Sequence, residues 1–236
     1  DTGMHRVGVS PPLLDELMGS IGSKTTLEVA ALWTHFPVAD EDPEYTRRQI
    51  ERFDEVVSYD DVPMVHLANT AGAVLFPEAR RSLVRVGLGT YGLHPCEETR
   101  DMIDLRPAMR IVSHVSHLQR LGAGARPSYG RMRPLTAAST VATVPIGYAD
   151  GYPRGLSGSG HVLIGGVAHP LAGTVTMDQI VVDVGDADVG FGDEVVLMGR
   201  QGDVEITADD WAGALDTISY EVVCEIGPRV PRRYVE

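Results

Sequence analysis

Hydrophobic positions in the first hundred residues alternate between two periods. In PPLLDELMGSIGS (11–23), Leu13, Leu14, Leu17, Met18 and Ile21 recur at helical spacing. TTLEVAALWTHF (25–36) has the composition of a strand. DEDPEYTRRQIERFDEVVS (40–58) predicts a helix, with Asp42 as N-cap, Pro43 in the first turn, and Ile50, Phe53, Val56 and Val57 as the buried stripe. VPMVHLAN (62–69) is a short apolar strand, and EARRSLVRVGLG (78–89) holds a helical turn followed by another strand. Strands alternating with helices predict a parallel sheet. Three such strands are clear, plus whatever runs into Asp1. A piece of that size is either an open sheet or half of an eight-stranded barrel.

The pattern changes after about Leu93, where LHPCEETRD forms a polar connection. From Leu105 onward the chain reads as mostly β. MRIVSHVSHLQRL (109–121) and STVATVPIGY (139–148) have strand composition, and HVLIGGVAHPL (161–171) predicts a hairpin turning at Gly165-Gly166. MDQIVVDVG (177–185) and DEVVLMG (193–199) follow. One short helix is expected over TADDWAGAL (207–215), capped by Thr207. The expected fold class is therefore α/β plus β, with an α/β part over 1–104 and a β domain over 105–236.

Composition narrows the function. The chain has 236 residues, 43% of them hydrophobic, enough for a core of one large or two smaller domains. A net charge of −13 argues against a nucleic-acid or anionic-membrane surface, which needs a basic face. No apolar run approaches the roughly 20 residues of a membrane span. Cys96 and Cys224 are far apart and form neither a disulfide framework nor a zinc spacing, which fits a reduced cytosolic setting.

Several motifs hold chemistry, each beside an ordinary structural reading. GLGTYG (87–92) has dinucleotide-loop glycine spacing, but Leu93, His94 and Pro95 follow where that fold starts a helix. What survives is that Gly87 and its neighbours end a strand, where bare backbone N–H groups bind phosphate. Asn69 and Thr70 of HLANTAG (66–72) suit phosphate contact, although spacing alone favours a turn that starts a helix. His114 and His117 fall on opposite faces of a strand, so a shared metal is not expected. DVGDADVG (183–190) lacks the glutamate that closes a calcium loop. Tyr129 of PSYGR and Tyr148 of IGYADGYPR stand beside glycines; each is either packing or a proton-transfer group.

Taken together, DTGMHRVG, THFPVADED, HLANTAG, VRVGLGTYG, PSYG, VPIGYADGYPR, GTVTMDQ and TISYEVVCEIGPRVPR make the chain resemble the alanine racemases, from end to end and in the family's order. The resemblance implies a TIM-like (β/α)8 barrel followed by a β domain, a head-to-tail homodimer with composite active sites, and pyridoxal 5′-phosphate as cofactor. It implies conversion of L-alanine to D-alanine for the bacterial cell wall, in the cytoplasm. DTGMHRVG corresponds to the end of the fifth barrel strand, so the chain is expected to be the C-terminal half of the barrel plus the β domain. The lysine that carries the cofactor is then expected upstream. The one lysine present, Lys24, matches no catalytic motif, and the isolated chain is expected to be inactive.

The resemblance also assigns roles. Racemisation needs two bases on opposite faces of the substrate, and Tyr129 is implied as the one other than the lysine. Arg6 would contact this tyrosine and the substrate carboxylate; a cation beside a phenol favours the phenolate. Arg85 would face the pyridine nitrogen and, having donors only, leave it unprotonated. His35 would orient Arg85. Phosphate contacts would fall on Asn69, Thr70, the backbone of Gly87 and Leu88, and Tyr220. Met177 would hold the substrate carboxylate through its amide, with Asp178 fixing that loop. Tyr148, Asp40, Arg154 and Ile218 would line the substrate's way in. Thr174 and Thr176 depart from the family's usual Arg and frequent Cys, the first removing a charge from that path. A serine or broad-spectrum racemase, and a non-catalytic remnant or interaction module, remain the other readings; the lysine discriminates the last.

Overall fold

The computed structural model describes residues 1–58 and 62–235, in two compact units, Asp1–Ala108 and Met109–Glu236. In the first unit a short 3₁₀ turn at Pro11–Leu13 leads into α1 (Leu14–Gly22). Strand β1 (Leu32–Trp33) is followed by α2 (Pro43–Asp54) and then β2 (Val65–His66), parallel to β1 with Trp33 opposite His66. Parallel strands need a crossover, and α2 supplies it. The Asp42 carboxylate accepts the Tyr45 N–H at 2.8 Å and starts α2 as a capping residue does. Ile50 and Phe53 of α2 pack with Phe36, Val65, Leu67, Ala71 and Phe76 as the unit's core. Asn69 caps α3 (Thr70–Leu75), its Oδ1 accepting from Gly72 N at 2.9 Å.

Two expectations change. The strand signal over 25–36 becomes a two-residue strand. The segment after the Pro77–Ala79 turn does not form a regular third strand. Among the described residues it follows β2 and the chain just beyond it through two backbone bonds, Ser82 N to Val65 O (3.0 Å) and Arg85 N to Ala68 O (2.9 Å). Strand composition reports the ability to lie extended, whereas a ladder also needs a partner in register. The apolar stripe of α1 is real but none of its residues is buried. Leu14, Leu17, Met18 and Ile21 instead line a cavity of about 440 Å³.

The second unit is antiparallel, with strands β3 (Ile111–His114), β4 (His117–Leu121), β5 (Ser139–Val144), β6 (His161–Ile164), β7 (Val167–Pro170), β8 (Ile180–Gly185), β9 (Glu194–Gln201) and β10 (Val204–Ile206). One sheet runs β10-β9-β6-β7 with β3 also on β9, and the other runs β4-β5-β8. The strand signal over 109–121 thus breaks between two sheets. His114 and His117 fall on different strands, and no metal-holding cluster occurs among the described residues. Thr207 and Asp210 form a capping box on α4 (Ala208–Leu215). A second helix not expected from the sequence, α5 (Ser219–Glu225), follows. Val222 and Val223 are buried as one face of this short helix.

Gly92 closes the first unit. It takes φ +72°, and a Cβ there would stand 1.6 Å from the carbonyl oxygen of Arg106. Gly92→Ala is therefore expected to cost roughly 3 kcal/mol or more, read as a lowered thermal midpoint. An unchanged midpoint would mean that this turn and Arg106 do not touch.

Candidate active site

The first unit gathers polar side chains just past the C-terminal ends of β1 and β2, and Arg85 is their centre. Its guanidinium donates to the carbonyls of Thr34 (2.8 Å) and Leu67 (2.9 Å), one beyond each strand, and to His66 O (3.3 Å). It also meets Nδ1 of His35 at 3.0 Å and Nδ1 of His66. Arginine only donates, so both Nδ1 atoms accept and each imidazole keeps its proton on Nε2. Trp33 closes one side, its ring stacked on His66 (5.9 Å, 12°) and 5.2 Å from the Arg85 carbon Cζ. Burial lowers the pKa of His35, and the charges of Arg85 and then Arg6 lower it further. Burial followed by Arg85 does the same to His66. Both histidines are neutral hydrogen-bond acceptors beside a fixed cation.

Arg6 is exposed at the end of a tied loop. The Asp1 carboxylate accepts from Gly3 N, His5 N and His5 Nδ1, each at 3.0 Å. Thr2 is buried against Thr34, their hydroxyls 2.7 Å apart, and Gln49 of α2 donates to Thr2 Oγ1 at 3.2 Å. The loop thus lies beside β1, and Arg6, His35 and Thr34 all line the 440 Å³ cavity.

Thr70 and the 87–89 loop form a second cluster. The Thr70 hydroxyl accepts from Gly87 N (3.2 Å) and Gly89 N (3.4 Å). A Cβ on Gly87 would meet no atom within 4 Å, so there is open space beside this residue. A hydroxyl, clustered amides and open space suit a phosphate group. Arg85 lies two residues before this loop in the chain, so the donor set fits a phosphorylated cofactor with an acceptor atom in its ring. Asn69 is engaged at both ends of its amide: it caps α3 and donates to Phe36 O at 3.4 Å. It shapes this cluster from behind. Lys24 is exposed just past α1.

The second unit positions the remaining candidates on two loops. Tyr129 is 74% exposed and opens a short turn, Tyr129–Arg131. Met177 stands at the tip of a turn closed by Thr176, whose hydroxyl donates to Gln179 O (2.8 Å) and accepts Gln179 N (3.2 Å). Thr176 therefore fixes this loop from one side, and Asp178 is exposed. Gly147 allows the neighbouring chain to approach, since a Cβ there would be 2.3 Å from Thr176 O. Tyr148 N and Ala149 N then donate to the carbonyls of Thr176 and Met177. Tyr220 is the second residue of α5, Ile218 precedes that helix, and Arg154 opens the turn before β6. Asp40 is half-buried in the first unit.

Sequence reasoning missed His66 as a partner of Arg85. Its only signal was a histidine at a strand end, three residues before Asn69. The parallel register that puts it opposite Trp33 is not written in either segment alone. Thr174, expected to face the substrate's path, is 4% exposed and bound to the Tyr129 loop.

The family model "Alanine racemase, N-terminal domain" matches residues 1–95, and "Alanine racemase, C-terminal domain" matches 108–234. The alanine racemase of Cutibacterium acnes is 43% identical over 243 residues, covering 100% of this chain and 64% of that protein. That of Halothermothrix orenii is 41% identical, covering 99% and 64%. Among solved structures, alanine racemase from Bacillus anthracis with bound L-Ala-P superposes with a TM-score of 0.92 at 35% identity, covering 100% of this chain and 63% of that one. The enzyme from Streptomyces coelicolor gives 0.91 at 38%, covering 100% and 64%. The chain thus spans a little under two thirds of the length of these relatives.

The histidines set a pH dependence. Their folded pKa values lie below the ordinary histidine value, so between the two values the unfolded chain binds the extra protons. Their stabilising effect is complete above about pH 6.5 and is lost as pH falls towards the folded values. Thermal midpoints should drop between about pH 7.5 and 5.5, and the His35→Gln/His66→Gln double variant should show a shallower drop. Parallel profiles would refute the assignment.

Proposed function

The chain belongs to the alanine racemase family, and on that footing we propose that it serves the interconversion of L- and D-alanine with pyridoxal 5′-phosphate, supplying D-alanine to the bacterial cell wall. The observation that carries the reading is the Arg85 cluster next to the Thr70–Gly87 amides: a fixed, donor-only cation beside a phosphate cradle. When bound, the cofactor supplies the electron sink that makes an amino acid's α-proton removable. Thr70 and the amides of Gly87 and Leu88 would hold its phosphate, Tyr220 is a further candidate for that contact, and Asn69 would shape the cradle. Arg85 would face the ring nitrogen and, having no proton acceptor and staying charged, would leave that nitrogen unprotonated. His35 and His66 accept from Arg85 and hold its plane.

Tyr129 would carry the proton on one face of the substrate. A phenol with an ordinary pKa of about 10 needs a nearby cation to act as a base, and Arg6 is assigned that part together with the substrate carboxylate. The Met177 amide would bind the same carboxylate, and Tyr148 and Asp178 would border the site. Lys24 lies outside the Arg85 cluster, so neither the opposite base nor the covalent hold on the cofactor is assigned to it. We further propose that residues 1–104 are the second half of a (β/α)8 barrel, and that 105–236 is the C-terminal β domain of a homodimer with composite sites. The parallel β1-α2-β2 unit, the polar residues past the strand C-termini and the unburied apolar stripe of α1 support the barrel. The free thiols Cys96 and Cys224 fit a cytoplasmic location.

In the full-length, cofactor-loaded enzyme, Tyr129→Phe should lower alanine racemisation by about 10²-fold or more, measured as D-alanine formed from L-alanine. Near-normal turnover would overturn the assigned base.

A further inference from the structure

A proton-carrying side chain must be held within hydrogen-bond reach of its target, and a displacement of about 1 Å can cost roughly 10²-fold in rate. Tyr129 is mostly in solvent, so its own backbone must fix where the phenol can go. That backbone is unusual. Ser128, Gly130 and Arg131 have φ of +67°, +69° and +47°. Ser128 and Arg131 carry side chains in a region that strains them, and such a run persists only where its surroundings hold it.

The holding contacts converge on one residue. The Ser128 hydroxyl donates to the carbonyl of Thr174 at 2.6 Å, and the Thr174 hydroxyl donates to the carbonyl of Tyr129 at 2.7 Å. The two bonds are reciprocal and bracket the tyrosine. Thr174 is buried, and Gly173 beside it lets the loops touch, since a Cβ there would come 2.5 Å from Pro127 O. The Thr174 segment is itself anchored: Ala172 N donates to Val181 O (2.7 Å) and Val175 N to Ser157 Oγ (3.0 Å).

We propose that Thr174 is the positioning residue of Tyr129, its hydroxyl fixing the tyrosine's carbonyl so that the phenol is presented from a strained but single backbone conformation. The departure from the family's usual arginine at this place thus exchanges a charge for a backbone tie. This inference rests on the reading of Tyr129 as a base.

The test uses Thr174→Val, which removes the hydroxyl and keeps the shape, and Thr174→Ser, which keeps the hydroxyl, in the full-length cofactor-loaded enzyme. Two readouts are taken. Amide exchange over 128–131, and tryptic cleavage after Arg131, should rise roughly fivefold to tenfold in Thr174→Val, as for a lost hydrogen bond, and return to the parent value in Thr174→Ser. The α-deuterium isotope effect, measured separately with L- and D-alanine, should rise in Thr174→Val for one enantiomer only, the one whose proton Tyr129 removes. Unchanged loop exchange, or isotope effects that rise equally for both enantiomers, would overturn the proposal. Should Thr174→Val fail to fold, Ser128→Ala removes the other half of the tie and is read the same way. Loop exchange reports on the tie whatever Tyr129 does, so a Tyr129→Phe enzyme that still racemises alanine would sink the base and leave the tie separately measurable.

Discussion

The first unit depends on how one buried-side cation is satisfied. A guanidinium withdrawn from water must find acceptors or pay a large desolvation cost. Arg85 finds them in carbonyls left over where β1 and β2 end, at Thr34 and Leu67, and in two imidazole nitrogens. Those carbonyls are available because the strands are short: two residues each pair, and the chain then diverges. The short ladder and the polar cluster are therefore one feature. Burial, and after it the charge of Arg85, holds the pKa of His35 and of His66 down, which preserves both as acceptors for the guanidinium.

The second unit solves a different problem. Its sheets supply rigid ends, but Tyr129 and Met177 sit on turns. Each turn is fixed by a threonine hydroxyl bonding to main chain, Thr174 for the first and Thr176 for the second, with Gly173 and Gly147 removing the side chains that would keep the strands apart. Exposed functional side chains on tied backbone are a common compromise: the tip stays free to meet a ligand while its origin does not wander. Family membership gives these loops their chemical meaning, and the local bonds explain how they would hold it.

Much of this was legible in the linear pattern. Asp42 and Pro43 announced α2, Thr207 announced α4, and Gly165-Gly166 announced the β6–β7 hairpin, because caps and turns are local: the residue that makes them satisfies its own neighbours' backbone groups. The change of pattern after Leu93 is what suggests an α/β part followed by a β part. Asn69 was correctly readable as a helix-starting turn. The motifs from DTGMHR to ISYE were enough to find the family.

What the sequence by itself could not set is which segments meet. Whether VRVG is a strand, whether 109–121 serves one sheet or two, and that His66 shares Arg85 with His35 all turn on partners far along the chain. Thr174 shows the point most clearly: as a letter it is a lost charge, and in the fold it is a buried hydroxyl tied to Tyr129, 45 residues away. Local hydrogen bonds are decided by neighbours in sequence, whereas ladders, buried polar contacts and a cation's acceptors are decided by tertiary packing, which brings together groups that no short window contains.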